Sequence, residues 1–163
     1  MNPPLTLETR IQNNRTMSLL SDEERKIDFD RAMEQWLALY RSLCKEALVY
    51  LLPSSRPLQD LTFVSNIGVI LNHLEIPVAI VSNFRAEGRQ GESAVGRNFF
   101  NELGYNVHIP DSFFEGEADF KHLSGNVYFG GYGLRSSKES HQWMMEQFQT
   151  KVISIKMNDP HLF

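Results

Sequence analysis

The stretch SFFEGEADF, residues 112–120, sets three carboxylates, Glu115, Glu117 and Asp119, around Gly116 inside a frame of phenylalanines. Like charges this close repel, and burial penalises each of them. Two readings meet that cost. One is an acidic surface turn. The other is a site that needs negative charge at a fixed place, for a cation or for the imidazolium of a histidine. Further residues able to do chemistry are Asp60 in LQDLTF, Ser65 and Asn66 in FVSN, Arg85 and Arg89 in NFRAEGRQGE, and Arg135 in GYGLRS. An arginine presents its donors in a planar fork that matches a carboxylate. Cys44 follows Trp36 and Tyr40 along one helical face and reads as a core thiol rather than a nucleophile. His73, His108, His122, His141 and His161 show no metal-ligand spacing. The GGYG run lacks the lysine of a phosphate loop, and no cofactor is expected.

The chain of 163 residues is long enough for one domain with a core. Its 42% hydrophobic and 22% charged residues fit an ordinary globular protein. A net charge of −4 gives no basic field for nucleic acid or an anionic membrane. No apolar run approaches the roughly 20 residues of a membrane span. The start, MNPPLTLETRIQNN, has no signal-peptide pattern. One cysteine rules out an internal disulfide and fits a reducing compartment, so a cytoplasmic α/β or α+β protein is expected.

The elements that would position those residues repeat. Three segments read as a helix running into a short strand. The first is DFDRAMEQWLALYRSLCKEA into LVYLLP, with Met33, Trp36, Leu39, Tyr40, Leu43 and Ala47 as a buried face. The second is GESAVGRNFFNELGY into NVHIP, with Val95, Phe99 and Leu103 as its stripe. The third is SSKESHQWMMEQFQ into KVISIK, started by Ser136 or Ser137 and facing inward through Met144 and Phe148. Between them LTFVSNIGVIL, PVAIVSN and NVYFGGYG are rich in β-formers. A unit of two strands, a helix and a strand thus recurs at roughly 50 residues, about three times. Residues 1–25 are the least patterned.

With those elements placed, LQDLTFVSNIGVIL, FRAEGRQGE, FFEGEAD and YFGGYGLRS stand in an order and spacing that resemble the guanidino-group-modifying enzymes. These are the pentein superfamily: dimethylarginine dimethylaminohydrolases, arginine deiminases, arginine dihydrolases and amidinotransferases. The resemblance runs from Gln35 to the last residue. It implies an α/β propeller of ββαβ repeats, with about three of five blades in a chain of this length. It also implies covalent chemistry, in which a cysteine thiolate attacks the guanidinium carbon and a histidine protonates the departing amine.

On that template Glu115 resembles the carboxylate that orients the histidine. Gly116 would let the chain turn tightly beside the pocket, and Asp119 would support the site from behind. Glu117 stands where the family more often has glycine. Asp60 resembles an acid that grips the guanidinium or the α-amino group of an arginine-like substrate. Asn66 agrees with the arginine dihydrolase branch, where asparagine replaces an acid and could direct water to a second hydrolytic step. Arg89 and Arg135 resemble arginines that hold the substrate carboxylate, with Arg85 in a structural pair.

The closing KMNDPHLF resembles the strand and turn that lead into the family's catalytic histidine, and His161 precedes that position. Residues 1–163 are therefore expected to be a partial pentein domain, truncated before the catalytic histidine and cysteine and inactive alone. The partner expected is a small arginine-like guanidine, with self-association through uncovered strand edges. A non-catalytic binding protein for such a ligand or a protein partner, or a degenerate fragment, is the competing reading.

Overall fold

Asn14 and Asp28 start two helices by the same device, a side-chain oxygen that accepts an otherwise unpaired N–H of the first turn. Asn14 takes the N–H of Met17 at 2.9 Å and Asp28 that of Arg31 at 3.0 Å. They open α1 (Arg15–Leu19) and α2 (Phe29–Leu43) in a computed structural model that describes residues 1–162. Phe163, where the KMNDPHLF stretch ends, lies outside the described residues. The chain divides into two units, Met1–Val64 and the residues from Ser65 on.

In the first unit the expected buried face of α2 is only partly covered, with Met33, Trp36 and Tyr40 half-buried. No residue of α2 is buried, and Leu39 and Leu43 are 53% and 40% exposed. Cys44 caps the helix and is exposed, so it is not the core thiol its position suggested. Nor does LVYLLP form a strand. Met1 alone supplies a backbone partner along one edge, donating to the Tyr50 carbonyl at 2.6 Å and accepting from Leu52 at 2.7 Å. Without a further strand among the described residues, the ladder that would define an element is missing. The weakly patterned start is instead tied down by side chains. Asn2 donates to the Leu52 carbonyl at 2.9 Å, and the Gln59 amide pairs with both backbone groups of Ile11 at 3.0 and 2.9 Å.

The second unit holds two three-stranded sheets of one design. Strands β1 (Gly68–Leu71) and β2 (Val78–Val81) pair antiparallel, and β3 (Asn106–His108) adds parallel to β2. Strands β4 (Phe120–Ser124) and β5 (Val127–Tyr132) pair antiparallel, and β6 (Lys151–Lys156) adds parallel to β5. A parallel neighbour needs a crossover, and α3 (Glu92–Glu102) and α5 (Lys138–Phe148) supply it. Among the described residues the ββαβ repeat is thus complete twice, where the sequence suggested about three occurrences.

Val69, Leu71, Val78, Ile80, Phe114, Phe120, Tyr128, Met144 and Phe148 form the core of this unit. Met144 and Phe148 face inward, as the helical spacing of α5 predicts. Helix α3 differs. Its buried residues are Glu92 and Gly96, while Leu103 is 37% exposed. Val95 and Phe99 of the expected stripe are half-buried, and a Cβ on Gly96 would stand 2.7 Å from Ile67, so close approach at Gly96 helps to seat this helix.

His141 of α5 is fully buried and lies over Gly130, where an added Cβ would stand 2.5 Å from the ring. Its Nδ1 pairs with Ser154 Oγ at 3.0 Å, and Nε2 has no partner among the described residues. Burial lowers its pKa from the ordinary 6.5, against the opposing pull of the Gly131 backbone and Asp119, with Lys138 acting in the same direction as burial. The unfolded chain then takes up a proton that the folded one refuses. Stability is full above 6.5 and falls as the pH drops below it. We expect urea unfolding to show a loss of stability between about pH 7 and about pH 5 that His141→Gln reduces. Equal losses in both proteins would refute this assignment.

Candidate functional site

Glu115 is delivered by a short backbone bridge. Phe114 exchanges hydrogen bonds with Asn83 at 2.9 and 3.0 Å, and the fully buried Phe114 ring anchors the turn in the core. Directly after it comes α4 (Gly116–Asp119), a single turn that the sequence did not suggest as a helix. Gly116 has φ +54°, and a Cβ there would stand 2.7 Å from the Gly68 nitrogen and 2.9 Å from the Ser65 carbonyl oxygen. Only glycine permits both the left-handed turn and that approach. It brings the acidic turn against β1 and the short turn Val64–Asn66 that precedes it.

The turn separates the three acids. Glu117 points outward, Asp119 is half-buried, and Glu115 is 3% exposed. Asn66, itself buried, donates its Nδ2 to Glu115 Oε2 at 3.1 Å. Arg135 Nε stands 3.8 Å from the same oxygen, while its Nη2 pairs with Asp119 Oδ1. Ser136 Oγ donates to Asp119 Oδ2 at 2.8 Å and accepts the Glu115 N–H at 3.0 Å. Asn66, Glu115, Gly116, Asp119 and Arg135, each singled out from the sequence, therefore meet in one place. Ser136 meets them there although its position before a helix pointed to a cap. The helix start falls to Ser137 instead.

The remaining residues are held otherwise. Arg89 is buried and forks onto Glu92, with Nε and Nη2 at 2.9 and 2.7 Å from its two oxygens. Its guanidinium also lies 4.6 Å from the centre of the Phe84 ring. Charge and bidentate geometry suit this pair to a buried position. Arg89 still acts on Glu115 through space. Arg85 is exposed and stacks over Phe113 at 4.8 Å. In the first unit Asp60 is buried, and Asn13 Nδ2 donates to its Oδ2. Glu92 was not singled out from the sequence, although its spacing of three from Arg89, at the start of a predicted helix, was a usable signal. No group of three or more histidine, cysteine, aspartate or glutamate side chains could hold a metal among the described residues.

Burial pushes the Glu115 carboxyl above its ordinary 4.5, outweighing the opposing pull of Arg135, Arg89 and the Asn66 amide; Asp119 adds to the rise. The folded state thus holds a proton that the unfolded state has already lost. This contribution is full below 4.5 and is lost as the pH rises through the folded pKa. We expect the stability of Glu115→Gln, relative to the unaltered protein, to improve as the pH is raised from about 4 to about 7. Parallel urea-unfolding profiles for the two proteins would contradict a raised pKa.

No family model matches the chain. It is 33% identical over 137 residues to the bifunctional arginine dihydrolase/ornithine cyclodeaminase AgrE of Nostoc sp., and 30% identical over 137 residues to ArgZ of Synechocystis sp.. Each match covers 82% of this chain and 19% of the relative, so the chain spans about a fifth of the length of these proteins. The N(G),N(G)-dimethylarginine dimethylaminohydrolase of Mycobacterium tuberculosis is 25% identical over 138 residues, 84% of this chain and 44% of that one. Among solved structures, the substrate-bound N-terminal domain of ArgZ, an arginine dihydrolase, superposes with a TM-score of 0.90 at 28% identity. That match covers all of this chain and 59% of that one. A dimethylarginine dimethylaminohydrolase shares the fold at a TM-score of 0.75 and 20% identity. Motifs, fold and relatives agree, and the chain belongs to the guanidino-group-modifying, or pentein, superfamily.

Proposed function

We propose that residues 1–163 form the N-terminal part of a guanidino-group hydrolase acting on arginine or a methylated arginine. The observation that carries this reading is the Asn66–Glu115 hydrogen bond at 3.1 Å, with Arg135 and Asp119 beside it. A guanidinium is a planar cation, and a buried carboxylate flanked by an amide can face its edge or hold the histidine that serves it. In this reading a cysteine thiolate attacks the guanidinium carbon and the amine leaves after taking a proton from the histidine. Water then cleaves the covalent intermediate. Both groups lie outside residues 1–163, and Glu115 orients the histidine. Asn66 and Arg135 contact the substrate, and Arg89, held by Glu92, contributes positive potential. Gly116 and Asp119 support Glu115. Asn66, neutral where an acid would bind the cation more firmly, favours the arginine dihydrolase branch, and so do the ArgZ and AgrE matches.

In the same reading the two ββαβ units are blades of a five-bladed propeller, and α2 with residues 48–52 belongs to another. The protein works in the cytoplasm. Residues 1–163 alone associate through the uncovered side of α2 and the exposed apolar residues of β6, Ile153 and Ile155. Light scattering on residues 1–163 should show species larger than a monomer; a monodisperse monomer would exclude this association.

The activity is tested on the polypeptide captured intact from its native cells, assayed with L-arginine and with dimethylarginine. We expect release of ammonia or a methylamine, together with citrulline or ornithine. Glu115→Ala should lower the rate about 10²–10⁴-fold, the range typical of losing acid–base function. Full activity in that variant, or no turnover of any guanidine, would overturn the reading.

A further inference from the structure

Ser136 sits in the turn between β5 and α5 and is wholly buried. A buried hydroxyl offers one proton and accepting lone pairs. Here the proton goes to Asp119 Oδ2 at 2.8 Å, and a lone pair takes the backbone N–H of Glu115 at 3.0 Å. Asp119 uses its other oxygen for Arg135 Nη2, and Arg135 Nε faces the Glu115 carboxylate at 3.8 Å. The contacts close a ring: Glu115 main chain, Ser136, Asp119, Arg135, Glu115 side chain. The serine itself is fixed from both sides. Its carbonyl accepts the Gly133 N–H at 2.8 Å, and the next residue, Ser137, donates its N–H to the Phe113 carbonyl at 2.9 Å.

We propose that Ser136 is a positioning residue of the site, whose hydroxyl sets how the Arg135 guanidinium is divided between Asp119 and Glu115, and so where the Glu115 carboxylate points. Only the identity of the ligand rests on the guanidino-hydrolase reading; the ring is made of this chain's own side chains. The competing role, a helix cap, is excluded by geometry, since Ser137 occupies the cap position and the Ser136 hydroxyl is spent on Glu115 and Asp119.

The ring makes a signed prediction. Removing the hydroxyl leaves the buried Glu115 N–H unpaired and takes one donor from Asp119. Asp119 then draws the five-donor guanidinium more fully to itself. Glu115 loses part of its neighbouring cation, which favours its protonated form. Neutralising Asp119 acts the other way. It removes a negative charge that disfavours ionised Glu115 and frees Arg135 to approach the remaining carboxylate.

The test is carbon-detected NMR titration of the Glu115 side-chain carboxyl in residues 1–163, with L-arginine as the binding probe. Ser136→Ala should raise the Glu115 midpoint and weaken arginine binding about tenfold, as expected for a lost charge-assisted contact. Ser136→Thr, which keeps the hydroxyl, should restore both, and Asp119→Asn should lower the midpoint. Ser136→Cys keeps the shape with a weaker donor and should shift the midpoint in the same direction as alanine, so it decides the matter where the alanine variant does not fold. A serine that only fills space would lower the melting temperature and leave the Glu115 midpoint in place, and that result overturns the proposal. If the unaltered chain binds no arginine, the guanidino reading falls, while the Glu115 midpoint still decides the ring.

Discussion

A carboxylate buried without full neutralisation organises this protein's candidate site. Glu115 is 3% exposed, and Arg135 keeps its Nε 3.8 Å from the carboxylate while its Nη2 bonds Asp119 more closely. A structural ion pair would ordinarily be drawn tighter, because the desolvation cost of burial is repaid only by good geometry. The Arg89–Glu92 pair in the same unit shows what the chain builds when pairing itself is the aim, a bidentate fork at 2.9 and 2.7 Å. At Glu115 the cation stands back and an amide stands in. An acid held in that way keeps the capacity to interact with another charged group.

The rest of the unit maintains that arrangement. The Phe114–Asn83 bridge and the Phe114 ring fix the chain just before Glu115. Gly116 lets it fold back at once against Gly68 and Ser65, so that Asn66 reaches the carboxylate from the neighbouring turn. The turn after β5 carries Arg135 and Ser136 to the other side. Glu115 is thus held from three separate stretches of chain. The repeated ββαβ design matters here because it places strand ends and their turns side by side.

Much of this was legible in the sequence, for reasons of different strength. The acids, the asparagine and the arginines lie in four short motifs whose order carries information that no single one has. The helix-then-strand rhythm predicted β3 after α3 and β6 after α5, because a 3.6-residue period giving way to β-branched residues is a local signal. What failed depended on partners distant in sequence. The apolar stripe of α2 and the LVYLLP run look like core, yet Leu39, Leu43, Leu48, Tyr50 and Leu51 are exposed and only Leu52 is buried, because periodicity tells which face wants burial and not whether anything covers it. The buried residues of helix α3 are Gly96 and Glu92, which hydrophobic patterning passes over. Ser136 was invisible for a similar reason. A serine before a helix has a cap as its default role, and only the three-dimensional meeting of two turns gives its hydroxyl another one.

The central claim is that Asn66, Glu115 and Arg135 form part of a site for an arginine-like guanidine. Chemical-shift mapping with L-arginine, following the Asn66 amide, the Glu115 carboxyl and the Arg135 guanidinium of residues 1–163, tests it most directly. The account predicts saturable shifts at all three groups, with exposed residues such as Glu117 unmoved. Shifts confined to other parts of the chain, or none at arginine concentrations that saturate the intact protein, would contradict it.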